Sequence, residues 1–84
     1  MVSGRVQGVW FRSSTREVAL SLGLTGYVCN RPDGSVEAVF EGPEDRVRRA
    51  VEWCRHGPGP ARVDSVDVSW GQATGKYRTF LVEY

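Results

Sequence analysis

The sequence predicts a two-layer α+β sandwich, with a mainly antiparallel sheet of five strands and two helices on one face. Three observations lead there. The apolar period changes along the chain in the order strand, helix, strand, strand, helix, strand, strand. Two helices are too few to cover both faces of a five-stranded sheet. Short hairpin links between consecutive strands require antiparallel neighbours.

The first strand is short, because only Met1, Val2 and Ser3 precede Gly4. Residues 5–12 are mixed, with Gly4 and Gly8 punctuating the link to the first helix. Phe11, Thr15, Val18, Ala19 and Leu22 then recur at helical spacing, so Ser13–Leu22 reads as an amphipathic helix stopped by Gly23. Thr25–Asn30 and Ser35–Glu41 are β-branched and aromatic runs joined by Arg31-Pro32-Asp33-Gly34, a strong hairpin signal. Pro43, Glu44 and Asp45 open a second helix as the helix dipole prefers. Its buried stripe is Val47, Ala50, Val51 and Cys54, and the Gly57–Pro60 run ends it. Val63–Trp70 alternates apolar and polar residues and reads as a strand; Tyr77–Tyr84 is the last one. Trp10, Trp53 and Trp70 are read as packing residues, with a place for Trp10 at a pocket mouth as the alternative.

Eighty-four residues and 9.3 kDa sustain one modest core, so residues 1–84 form one domain. The composition, 40% apolar and 25% charged, is that of a folded domain rather than a disordered chain. No apolar run is long enough for a membrane span or a signal-peptide core. The net charge of +1 argues against a nucleic-acid binder. Cys29 and Cys54 match neither a zinc spacing nor Cys-x-x-Cys, and they read as free thiols of a cytoplasmic protein. His56 lies at a helix end, where it complements the C-terminal dipole.

The charge that exists is unevenly placed. Residues 1–31 carry Arg5, Arg12, Arg16 and Arg31 against Glu17 alone. A glycine-bearing link between a strand and a helix is a good anion site, since its amides converge and the helix N-terminus adds positive partial charge. Arg12 sits at that helix start, where its guanidinium fork suits a phosphate. Known phosphate chemistries narrow the choice. There is no Gly-Lys-Ser/Thr loop, and neither cysteine is followed by arginine at the spacing of a cysteine phosphatase. No carboxylate cluster resembles a magnesium site. Phosphate chemistry here would need neither a metal nor a protein nucleophile.

Two stretches carry a family resemblance. Gly4-Arg5-Val6-Gln7-Gly8-Val9-Trp10-Phe11-Arg12 resembles the first signature of the acylphosphatases. Gly26-Tyr27-Val28-Cys29-Asn30, followed by Asp33-Gly34-Ser35-Val36-Glu37, resembles the second. The Gly42-Pro43-Glu44 helix start and the closing Phe80–Tyr84 run also fit, so the resemblance spans nearly the whole chain. It implies a ferredoxin-like βαββαβ fold with a fifth strand. It implies hydrolysis of acyl phosphates, which are carboxyl-phosphate mixed anhydrides, to a carboxylate and inorganic phosphate. It assigns Arg12 and Asn30 as catalytic residues, with Asn30 positioning the attacking water. The backbone of Gly4, Arg5, Val6, Gln7, Gly8 and Val9 would cradle the phosphoryl group. No cofactor, no metal, no nucleic acid and no membrane is implied; the partner is a small acyl phosphate, and the protein is expected to be a stand-alone monomer.

The alternatives are few. Asn30 beside Pro32-Asp33-Gly34 is also a common hairpin residue. Cys29 should face away from Asn30 by strand alternation. An RNA-binding module would need aromatic stacking residues on its third strand, and Ser35–Glu41 offers only Phe40 beside Glu37 and Glu41. A non-catalytic phosphate-binding domain of the same fold is the other reading. The first strand is shorter than the family's usual one and interior in such a sheet, so its neighbours should be partly unpaired and thermal stability marginal.

Overall fold

The computed structural model describes Met1–Glu83. Its elements follow the expected order: strand Val2–Arg5 (β1), helix Phe11–Ser21 (α1), strands Thr25–Asn30 (β2) and Val36–Glu41 (β3), helix Glu44–His56 (α2), and strands Arg62–Val66 (β4) and Phe80–Glu83 (β5). The sheet order is β4-β1-β3-β2-β5. β1 pairs antiparallel with β3 and β4, and β2 pairs antiparallel with β3 but parallel with β5. Hence β1, β2 and β5 run one way and β3 and β4 the other. Two βαβ crossovers interleave, each helix passing over the sheet between parallel strands that have a third strand between them.

Local chemistry explains the boundaries. Gly23, at φ 68, ends α1 by donating to Leu20 O while Leu24 N donates to Ala19 O, a paired C-terminal cap. The β2–β3 turn is closed by Arg31 N to Ser35 O at 2.8 Å. Asp33 Oδ1 accepts from both the amide and the hydroxyl of Ser35, which satisfies that buried serine. Glu44 and Asp45 lie in the first turn of α2 and Arg55 and His56 in its last, both complementing the dipole.

The core lies between the helices and the sheet. Phe11, Thr15 and Ala19 of α1 and Val47, Ala50 and Cys54 of α2 are buried against Val2, Val28, Val36 and Phe80. Phe11 packs on Trp53 at 5.5 Å between ring centroids, and Phe40 stacks on Phe80 at 5.4 Å. The buried Thr15 hydroxyl donates to Phe11 O at 2.7 Å, so it carries no unmet polar cost.

Three expectations are corrected. β4 ends at Val66, not Trp70, because the β1–β4 register ends at Val2↔Val66, followed only by Asp67 N donating to Met1 O at 2.9 Å. Beyond that point Val68 and Trp70 pair with no strand among the described residues and are exposed. β5 begins at Phe80 rather than Tyr77, since its partner β2 begins only at Thr25; Tyr84, the last residue expected in that strand, lies outside the described residues. Of the tryptophans, Trp53 packs against the core as read, whereas Trp10 and Trp70 are exposed, with Arg48 stacked 5.2 Å from the Trp70 ring.

The short β1 has the expected consequence. It meets β3 at Val2↔Val36 alone. Glu37–Glu41 therefore has no ladder partner on that side among the described residues, and a groove of about 600 Å³ lies between this edge and residues 66–74. The loop that forms the groove's far wall is tied to β3 at Glu41, which accepts from Thr74 N, Thr74 Oγ1 and Gly75 N.

Candidate active site

Parallel strands in one sheet end on the same side. The C-terminal ends of β1, β2 and β5 thus bring Arg5, Asn30 and Glu83 to one edge of the molecule. The chain leaves β1 there, crosses residues 6–10 and enters α1. The result is a cavity of about 310 Å³ lined by Val6, Gly8, Trp10, Phe11, Arg12, Ser13, Asn30 and Val82. Four elements or links contribute to it, and no acidic side chain is among the described residues that line it.

The link is held by its side chains, which leaves its backbone at the cavity. Val6 and Val9 are buried in the core. Gly8, at φ 73, occupies a left-handed conformation in which a β-carbon would meet nothing within 4 Å, so glycine is required there by backbone strain rather than by space. Gln7 projects toward the β2–β3 hairpin, where Nε2 donates to Arg31 O at 2.8 Å and Ser35 O at 3.0 Å. This side chain fixes the link against the strand that carries Asn30. Sequence reasoning counted Gln7 only as backbone; its side-chain partners lie 24 and 28 residues away and leave no local signal.

Trp10 precedes α1 at φ 61, ψ 22, and is the one described non-glycine residue with positive φ. Holding an L-residue there costs roughly 1–2 kcal/mol. The helix that follows has no side-chain cap and no acidic residue in its first turn. Its first amides therefore lack intrahelical acceptors and face the cavity end with positive partial charge. Arg12, half-buried, adds a full charge, and its Nη1 donates to Glu83 O at 3.2 Å. Asn30 completes the wall. Its Oδ1 is buried and accepts no hydrogen bond from any described residue. An unmet buried acceptor costs about 1–3 kcal/mol, which calls for an explanation beyond packing.

The structure thus brings Arg12, Asn30, Val6 and Gly8 together and distributes the remaining candidates. Gly4 and Arg5 belong to the β1–β4 ladder, opposite Val63 and Arg62. A β-carbon at Gly4, at φ 127, would collide with the Arg62 carbonyl oxygen, so this glycine serves the bulge in β1. Cys29 and Cys54 are both free thiols, and neither lines the cavity. Burial raises the Cys29 thiol and pushes the Cys54 thiol up to about 12, so both stay protonated and unreactive at neutral pH. His56 stands at the end of α2, 3.4 Å from Glu52, outside the cavity lining. Among the described residues, no three His, Cys, Asp or Glu side chains cluster as metal ligands, and no helix is long and apolar enough to cross a membrane.

Known proteins share both the sequence and this shape. The acylphosphatase family model matches residues 1–82. The acylphosphatase of Pelotomaculum thermopropionicum is 50% identical over 84 residues, covering 100% of this chain and 91% of the relative. That of Rubrobacter xylanophilus is 57% identical over 81 residues, 96% of this chain and 74% of the relative. The crystal structure of acylphosphatase from Bacillus subtilis superposes with a TM-score of 0.94 at 36% identity, covering 99% of this chain and 92% of that one. With a ferredoxin-like sheet, a basic cavity at the start of α1 and relatives of this kind over nearly its full length, the chain belongs to the acylphosphatase family of acyl phosphate hydrolases.

Proposed function

We propose that the chain hydrolyses acyl phosphates without a metal, by direct attack of a water positioned by Asn30 on a phosphoryl group held by Arg12 and backbone amides. The observation that carries this reading is the buried, unpartnered Asn30 Oδ1 in the same cavity as Arg12 and the uncapped start of α1. The water donates one proton to Oδ1, which orients its lone pair toward phosphorus, while the amide nitrogen is suited to donate to a phosphoryl oxygen. Charge on the phosphoryl oxygens is met by Arg12, by the first amides of α1 and by the link amides beside Gly8. The amide cradle expected over Gly4–Val9 narrows to the part that lines the cavity, from Val6 onward.

The chemistry asks for little more. The oxygen of water bonds to phosphorus as the bond to the acyl oxygen breaks, and the electron pair leaves on the carboxylate. A carboxylate leaving group, whose acid has a pKa of about 4, needs no general acid. Among the described residues no strong base lines the cavity, and in this reading a phosphoryl oxygen takes the water's proton. Phosphoryl transfer of this kind is mostly positioning and charge stabilisation, which these groups supply. A cytoplasmic location and a monomeric state belong to the same reading.

The test is hydrolysis of benzoyl phosphate with EDTA present. The wild type turns over, and Arg12→Ala and Asn30→Ala each lose at least ~100-fold, the scale of removing one transition-state donor. A folded wild type that binds inorganic phosphate but does not turn over would instead support the non-catalytic binding domain.

A further inference from the structure

We infer that Trp10 is the residue that selects the acyl group, and that the chain prefers acyl phosphates with aromatic or bulky apolar acyl groups. The inference rests on the hydrolase reading above and names the substrate class for that site. Three features of Trp10 support it. The residue is 74% exposed, whereas its neighbour Phe11 is 1% exposed, so Trp10 lies outward rather than in the core. Its backbone is left-handed, a conformation that a glycine would hold without strain and a tryptophan holds against it. Trp10 is among the residues that line the cavity containing Arg12 and Asn30, and its ring stacks on no described aromatic ring and donates to no described acceptor.

Substrate geometry connects these facts. In an in-line displacement the leaving group departs on the side of phosphorus opposite the incoming water. Asn30, which holds the water, stands on β2, while Trp10 stands on the link before α1. Arg12 and Asn30 are engaged by the phosphoryl end, the Ser13 hydroxyl donates to Trp10 O, and the other lining side chains, Val6, Phe11 and Val82, are apolar. An emerging acyl group therefore meets the indole face. Against an aromatic acyl group that face offers offset stacking and loses water-exposed area; against an acetyl group it offers little.

The experiment compares kcat/KM for benzoyl phosphate and acetyl phosphate in the wild type and in Trp10→Ala, Trp10→Phe and Trp10→Gly. Trp10→Gly suits the left-handed backbone, so loss of folding does not confound the result. The expected outcome is a fall of ~10-fold for benzoyl phosphate in the Ala and Gly variants and less than ~2-fold for acetyl phosphate, the scale of one aromatic contact. Trp10→Phe retains most of the preference, and inhibition by inorganic phosphate is unchanged throughout. An equal fall for both substrates, or no fall for either, overturns the inference. If the wild type hydrolyses neither substrate, the hydrolase reading fails; if it hydrolyses both with a ratio indifferent to position 10, only this inference fails.

Discussion

Gln7 offers a quantitative test of how the site is held. Its Nε2 makes two hydrogen bonds, 2.8 and 3.0 Å long, to the carbonyls of Arg31 and Ser35. Each carbonyl also accepts one backbone hydrogen bond, from Gly34 N and Arg31 N respectively. Gln7→Ala therefore leaves no carbonyl wholly unsatisfied, and the loss is that of two neutral hydrogen bonds, about 1–3 kcal/mol in all. For a domain of this size that lowers the melting temperature by roughly 4–24 °C, at about 4–8 °C per kcal/mol. The link also loses its tie to the hairpin bearing Asn30, so kcat falls while the affinity for inorganic phosphate changes less. Gln7→Glu is the sharper variant. Ionised, it sets a carboxylate against two carbonyl oxygens and is more destabilising than alanine; protonated below about pH 4, it regains one donor and part of the loss. Thermal melts and benzoyl phosphate kinetics at pH 7, with melts repeated at pH 4, decide the matter. A melting temperature within about 2 °C of wild type for Gln7→Ala, together with an unchanged kcat, would refute the clamp.

Further predictions concern the rest of the molecule. Glu41 is held below its ordinary pKa by hydrogen bonds from Thr74 and Gly75. That tether is complete above the ordinary glutamate range and is lost as pH falls, so amide exchange at Thr74 and Gly75 accelerates on acidification and in Glu41→Gln at neutral pH. The Cys54 thiol, pushed up to about 12 by burial, keeps a proton that the unfolded chain releases near 9. Stability is therefore undiminished by this group below pH 9 and falls between there and about 12, and alkylation of Cys54 at pH 8 proceeds no faster than global unfolding. Gly4→Ala forces a β-carbon onto the Arg62 carbonyl and opens the β1–β4 bulge; a melting temperature equal to wild type would contradict that close approach. Residues fused before Met1 to continue β1 would fall opposite Ala38 and Phe40 by the Val2↔Val36 register and raise the melting temperature if they fill the groove.

What the sequence reveals and what it conceals divide along a physical line. Helix α1 and strands β2 and β3 were legible within a residue or two because their signals are local: a 3.6-residue stripe, a Pro-Asp-Gly turn, a glycine stop. The outer ends of β4 and β5 were not, because a strand lasts only as long as its partner, and Val66 and Phe80 mark where β1 and β2 give out. The same division holds at the site. Arg12 and Asn30 stand in recognisable motifs, and the parallel ends of β1 and β2 bring them to one cavity. The Gln7 clamp and the Arg12 contact to Glu83 O join residues 24 to 71 positions apart, and no spacing rule reports them. Composition favours packing for Trp10, with a pocket-mouth place as the alternative, because an apolar ring is usually buried; its left-handed backbone and its exposure have no compositional mark.

The most direct test is Asn30→Ala, followed both for benzoyl phosphate hydrolysis in EDTA and for unfolding. Its Oδ1 is the group proposed to hold the water, and no described residue donates a hydrogen bond to it, so the substitution breaks no described hydrogen bond of that atom. The expected result is at least ~100-fold less turnover in a protein about as stable as wild type. Turnover near the wild-type level, or activity lost only in step with stability, would contradict it.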